Sequence, residues 1–242
     1  MLKLEDLVWA LPDGERIING ITMHAGAGKL TVVTGPNGGG KTSIAKLTAG
    51  LYAPQSGRIL LDGEDITGLD MTQRAKRGIS FAFQQPVHFK GLTVRDLLEI
   101  SAEGSLDDGK LCAVLGKVGL CAQDYVNRPV DASLSGGEIK RIEIATVLAR
   151  KNARLLVFDE PEAGIELWSL TSLIEVFRAL REERDRALLV ISHQERILEI
   201  ADEIVVIANG RVRTAGTREE ILPALLHGEK QTGCPMQTGT VC

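Results

Sequence analysis

The octapeptide "GPNGGGKT", Gly35 to Thr42, limits what this chain can fold into more than any other stretch. It fits G-x-x-x-x-G-K-[ST] and follows "KLTVVTG" (Lys29 to Gly35), a β-branched apolar run that reads as a buried strand. The text after it, "KTSIAKLTAG", reads as a helix stopped by Gly50. A strand, a glycine loop and a helix start, in that order, make a phosphate cradle. Glycines let successive backbone N–H groups curl toward phosphate oxygens, and the helix N-terminus adds the positive end of its dipole. The motif puts Gly35, Pro36, Asn37, Gly38, Gly39, Gly40 and Ser43 around a nucleoside triphosphate. Lys41 then reaches the β- and γ-phosphates, and the Thr42 hydroxyl meets Mg²⁺. At Gly39 the loop keeps its backbone donors but lacks the hydroxyl a serine would supply.

Three further apolar runs end in polar groups. "GISFAFQ" ends at Gln84, "ARLLVFDEP" carries Asp159 and Glu160, and "ALLVISH" ends at His193. In open α/β sheets, ligands lie beyond the carboxyl ends of the strands. An aspartate there holds Mg²⁺. A glutamate directly after it points to the opposite face of the strand and polarises a water for in-line attack on the γ-phosphate. The Gln84 amide is placed to bind Mg²⁺ and water. A neutral His193 bridges the γ-phosphate and the attacking water.

Around these runs, "GRILLDGEDI" and "EIVVIANGRVRTAG" read as hairpins turning at Asp62-Gly63 and Asn209-Gly210. "LWSLTSLIEVFRALREE" is an amphipathic helix with Leu167, Leu170, Ile174, Phe177 and Leu180 on one side. From about Pro86 to Arg150 the pattern turns helical, with apolar residues three and four apart in "LTVRDLLEI" and "KLCAVLGKVGL". The order predicts a doubly wound α/β core carrying a helical subdomain at about 86–150, within a domain of 1–225. The polar, aperiodic tail 226–242 is expected to be flexible.

"LSGGEIKR" (Leu134 to Arg141) supplies a second cradle, with Ser135, Gly136 and Gly137 at a helix start. One nucleotide does not need two cradles from one chain. The economical reading is that the second grips the γ-phosphate held by a different copy.

Taken together, these motifs resemble those of the ATP-binding-cassette (ABC) ATPases over nearly the whole chain. The resemblance implies a P-loop ABC ATPase fold: a RecA-like α/β core, an N-terminal antiparallel β subdomain and an inserted helical subdomain. It makes "GPNGGGKT" the Walker A loop, Gln84 the Q-loop glutamine and "LSGGE" the signature. "LLVFDE" becomes Walker B with Glu160 as catalytic base, and His193 the switch histidine. It further implies a Mg²⁺-dependent ATPase whose copies sandwich two ATPs head to tail.

Within that superfamily, "GISFAFQQPVHFKGLTVRDLL", "YVNRPVDASLSGGEIKRIEI" and "ISHQERIL" look like the Suf-type iron–sulfur cluster assembly ATPases, the SufC group. Transport ATPases usually carry glutamine where this chain has Glu138. The implied partners are SufB-like scaffolds, with or without SufD. The alternatives are the nucleotide-binding subunit of a membrane importer, which would run the same motor, and a nucleotide-dependent binding module that hydrolyses little.

This sequence also departs from the pattern. The base-stacking aromatic falls near Leu11, with Trp9 two residues earlier on the same strand face. The D-loop is "AGIE" (Ala163 to Glu166), and "PEAG" replaces "TDSG".

Charge and composition exclude other classes. The net charge is −4, so no basic nucleic-acid footprint is expected, and "TQRAKR" (Thr72 to Arg77) reads as a solvated helix face. No apolar run approaches the ~20 residues of a membrane span. The first residues do not have a secretory layout, and a cytoplasmic chain without direct membrane insertion is expected. Cys112, Cys121, Cys234 and Cys242 form no C-x-x-C pair, which argues against a zinc site and reads as free thiols. For Cys234 and Cys242 in the tail an iron or sulfur contact remains the alternative.

Overall fold

Alternation along three apolar strands divides the core of this protein in two. Leu30, Val32, Leu156, Phe158, Leu188 and Val190 enter one hydrophobic cluster. Their neighbours Val33, Leu155, Val157, Leu189 and Ile191 enter the other. Period-two runs with no polar face fit a parallel sheet covered on both sides.

The computed structural model describes residues 1–85, 89–164 and 167–228. The chain opens with β1 (Leu2–Ala10) and β2 (Arg16–Ala25), then β3 (Leu30–Thr34), the glycine loop and α1 (Lys41–Ala49). The hairpin β4 (Ser56–Leu61) and β5 (Glu64–Asp65) leads into α2 (Met71–Lys76) and β6 (Ile79–Ala82). Helices α3 (Val94–Ser101), α4 (Asp108–Lys117), α5 (Ala122–Tyr125) and α6 (Gly136–Ala149) follow. The chain then alternates through β7 (Leu155–Asp159), α7 (Leu167–Glu183), β8 (Ala187–Ile191) and the short α8 (Glu195–Leu198). The hairpin β9 (Glu203–Ala208) and β10 (Arg211–Thr217) precedes α9 (Arg218–Gly228).

One sheet has the order β10-β9-β3-β8-β7-β6 and is parallel from β9 to β6, with β10 antiparallel at its edge. The second, β2-β1-β4-β5, is antiparallel. Its buried residues, Leu2, Leu4, Ile18, Ile21 and Ile59, pack into the cluster shared with α1. Helices α3, α4, α6 and α7 pack into the other. This is the P-loop ABC ATPase fold.

The amphipathic helix buries Leu170, Ile174, Phe177 and Leu180 as its spacing predicts. Both hairpin turns lie where the Asp-Gly and Asn-Gly pairs put them. One reading needs correction. The run "TQRAKR" is not wholly a solvated face, because Arg74 is only 1% exposed. Its guanidinium turns inward and donates to the carbonyls of Leu69, Thr67, Thr48 and Leu47. A helical-wheel argument misses this because it treats arginine as solvated, whereas the last carbonyls of α1 have room for a further donor. Among the described residues no helix is long and apolar enough to cross a membrane. Pro86 to His88, the D-loop residues Ile165 and Glu166, the Leu167 side chain and the tail with Cys234 and Cys242 lie outside what is described.

Candidate nucleotide site

The glycine loop is shaped by the strand behind it. Gly35 has φ 133, and a Cβ there would sit 2.0 Å from the Ile207 carbonyl oxygen of β9, so no larger residue fits. At Gly39 a Cβ would meet Ile207 O and Pro36 O at 3.0 Å, so backbone crowds the place a serine would take. The Gly210 amide donates to Gly39 O at 3.2 Å and ties the loop to the β9–β10 turn. Gly40, the residue before α1, provides no side-chain cap. The first N–H groups of α1 are therefore open to an anion, as a phosphate cradle requires.

Lys41 is 6% exposed and folds back over the loop, donating to Gly35 O at 2.8 Å and Pro36 O at 2.9 Å. Burial lowers its pKa, while Glu160 and Asp159 act in the opposite sense. The ammonium thus rests on weak neutral acceptors, which an anionic phosphate outcompetes.

The loop borders a cleft of about 390 Å³ lined by Lys41, Thr42, Ser43, Glu160, Trp9 and Tyr52, among others. Leu11 also lines it. The Trp9 and Tyr52 rings stack at 4.5 Å and 8°. The Lys46 ammonium lies 5.4 Å from the Tyr52 centroid. The sequence offered no signal for Tyr52, because its stack joins β1 to the chain just past α1.

Two pairs of polar side chains meet at the strand ends. Thr42 Oγ1 donates to Asp159 Oδ1 at 3.2 Å. Asp159 is 1% exposed, and burial raises its pKa against the Thr42 hydrogen bond, with Glu160 adding to the rise. A hydroxyl beside a buried carboxylate is a hard oxygen donor set, and a divalent cation would relieve the cost of burying that charge. The residues therefore fit Mg²⁺.

Beside them, Gln84 Nε2 donates to Glu160 Oε2 at 2.6 Å. Glu160 lies one residue past β7 with φ 45, and its amide donates to Ile191 O at 3.0 Å. A left-handed turn therefore aims this side chain, where the sequence reading relied on strand alternation. Gln84 likewise sits two residues beyond β6.

His193 follows β8 by two residues, is exposed, and is not among the residues lining the cleft. The backbone around it is held from behind. Ser192 Oγ donates to the buried Glu162 at 2.6 Å and accepts from the Gln194 amide at 3.0 Å. Burial raises the Glu162 pKa against the Ser192 bond. The departure "PEAG" therefore places Glu162 behind the end of β8, a contact with no local signal in the sequence.

Ser135, Gly136 and Gly137 open α6 away from this cleft, and Ser135 and Gly136 are exposed. Ser135 Oγ accepts from the Glu138 amide at 3.2 Å, and Glu138 Oε2 accepts from the Ser135 amide at 2.7 Å. This reciprocal capping box fixes the helix start. Tyr125 donates its hydroxyl to Glu138 Oε1, and Arg128 Nη1 lies 3.3 Å from that oxygen. The Glu138 pKa is pushed down to about 2, first by Tyr125 and then by Ser135.

The sequence matches the ABC transporter family over residues 18–163. The chain belongs to that family. This cassette is 33% identical to an uncharacterized ABC transporter ATP-binding protein of Methanocaldococcus jannaschii, over 91% of the chain and 90% of the relative. It is 31% identical to a probable branched-chain amino acid transport ATP-binding protein of Archaeoglobus fulgidus, over 87% of each. Among solved structures, a dimeric post-hydrolysis ATP-binding cassette bound to ADP and Pi superposes with a TM-score of 0.80 at 21% identity. That alignment covers 90% of this chain and 99% of the other. The chain is an ATP-binding cassette of the ABC ATPase type.

Proposed function

We propose that this cassette is a Mg²⁺-dependent ATPase, a motor subunit that closes head to tail on a second copy and drives a separate partner. Gly35 to Ser43 take the triphosphate, and Lys41 leaves its two carbonyls for the phosphates. Thr42, Asp159 and Gln84 hold the cation, which neutralises phosphate charge. Glu160 is the general base, and His193, exposed in the single chain, closes on the γ-phosphate. Ser135, Gly136 and Gly137 complete the site of the facing copy. Residues 1–225 act as one ATPase domain with the helices after Pro86 as a subdomain, and the cassette works in the cytoplasm.

The observation that carries this reading is the meeting of Thr42 with Asp159 and of Gln84 with Glu160 beside an open cradle. Glu160→Gln tests it. We expect hydrolysis to slow at least ~10²-fold and an ATP-dependent dimer to accumulate in light scattering. Unchanged turnover overturns the role of Glu160. Turnover lost with no dimer at saturating MgATP overturns the head-to-tail motor.

The relatives' descriptions favour a membrane permease as the partner, which makes the cassette the nucleotide-binding subunit of a transporter. A second reading, an iron–sulfur assembly motor with SufB-like and SufD-like scaffolds, is favoured by one local feature. Glu138, placed where transport ATPases usually have glutamine, is held by Tyr125 and Arg128 of the "YVNR" segment. Affinity capture with this chain separates the two. Multi-span proteins support transport, whereas soluble scaffolds carrying iron and acid-labile sulfide support assembly.

A further inference from the structure

A fully buried lysine is costly unless its ammonium protons are taken up. Lys140, in the second turn of α6, is 0% exposed. Its Nζ donates to the Phe83 carbonyl and to Glu143 Oε2 at 3.1 Å, and lies 3.4 Å from the Gln84 carbonyl. The other carboxylate oxygen of Glu143 accepts the Phe83 amide at 2.6 Å. Thus one ion pair, spaced i to i+3 on α6, takes both backbone polar groups of Phe83 and approaches the carbonyl of Gln84.

The location gives the pair its meaning. β6 ends at Ala82, so Phe83 and Gln84 have left the ladder of the sheet. The side chain of Gln84 then reaches Glu160. An apolar pair would fill the same space at lower desolvation cost. What only charged groups supply here is a grip on a stretch of backbone that has no strand partner.

We infer that Lys140 and Glu143 are positioning residues: together they fix the backbone at Phe83–Gln84 against α6, and so fix whether the Gln84 amide meets Glu160. This rests on the ATPase reading above. Since α6 also begins at the Ser135 cradle, the cradle and the glutamine are held to one rigid helix.

The test removes both charges at once, with Lys140→Met/Glu143→Leu, so that no buried charge is left alone. Glu143→Gln serves as a milder variant should the double one fold poorly. Two readouts apply. In amide hydrogen exchange without nucleotide, the Phe83 amide loses at least ~10-fold of its protection while the amides of α6 keep theirs. In steady-state kinetics the double variant lowers kcat ~10-fold or more, with ATP affinity within ~3-fold of wild type. Placed in a Gln84→Ala background, it has no further effect on kcat, because both changes act through one contact. Unchanged Phe83 protection overturns the inference, as does a kcat loss that adds fully to that of Gln84→Ala. A wild-type chain that hydrolyses no ATP sinks the ATPase reading instead, and the exchange experiment still decides whether the clamp exists.

Discussion

Gln84 and Glu160 lie 76 residues apart in sequence, yet the amide of one donates to the carboxylate of the other at 2.6 Å. Each belongs to the irregular stretch just past a strand, and each is set by its own device. Glu160 is turned by a left-handed backbone at φ 45, and Gln84 is carried on backbone that the Lys140–Glu143 pair grips. In this contact one oxygen of the candidate base is occupied by a neutral donor. A carboxylate has a second oxygen, so a water can still be accepted while the Gln84 amide orients the group.

Asp159→Asn separates cation binding from phosphate binding. The amide oxygen still accepts from Thr42, so the shape of the site is kept and only the charge is lost. We expect affinity for MgATP to fall at least ~10-fold, with little change for ATP in the presence of a chelator, since hard cations depend on carboxylate charge. Fluorescent-nucleotide titrations with and without Mg²⁺ measure both. Equal losses in the two conditions remove Asp159 as a cation ligand.

The glycine loop, its flanking strand and helix, and the polar strand ends were all legible in the sequence, because each depends on neighbours within a few residues. What escaped depends on distant partners. Trp9 meets Tyr52, Lys140 meets Phe83, and Glu162 meets Ser192. A buried Lys or Arg inside a helix looks like any solvated cation until the backbone it serves is seen, as Arg74 shows. The run "ALLVISH" suggests a strand ending at His193, whereas β8 stops at Ile191 and leaves His193 two residues beyond, exposed and not lining the cleft in a single chain.

Arg74→Met tests the buried guanidinium. Burial lowers its pKa to about 10, with Asp65 opposing, so it stays a cation at neutral pH. It caps carbonyls of Leu47 and Thr48 at the end of α1, the helix that begins with Lys41. Methionine fills the volume but removes the donors, so Leu47 O keeps only the Gly50 amide at 3.2 Å and Thr48 O loses the guanidinium. We expect a loss of about 3 kcal/mol in chemical denaturation. A loss within about 0.5 kcal/mol, as at an ordinary surface site, would show that water or repacking replaces the cap.

Glu138 makes a pH prediction with a definite sign. Its pKa is about 2 in the folded chain against 4.5 unperturbed, so the folded state favours the carboxylate. The resulting stabilisation is present above about pH 4.5. It is lost as pH falls toward 2, where the folded group protonates. The melting temperature of wild type should exceed that of Glu138→Gln most at pH 6, and the gap should narrow steadily from pH 5 to pH 3. A gap that is constant over this range assigns the difference to packing rather than to charge.

Trp9 supplies the last test, of where the base lies. Its ring is stacked on Tyr52, and both line the cleft beside the phosphate loop. Leu11 lines it as well, but a leucine offers no aromatic face. If the base lies against the Trp9 side of the cleft, ATP changes Trp9 emission in a Trp168→Phe background. Trp9→Ala then weakens ATP binding ~5-fold, near the ~1 kcal/mol of an aromatic stack. Leu11→Ala costs less. Inorganic triphosphate, which has no base, binds wild type and Trp9→Ala alike. Equal ATP affinity in wild type and Trp9→Ala, with emission unmoved, puts the base on another wall of the cleft and leaves the Trp9–Tyr52 stack as a clasp between β1 and the end of α1.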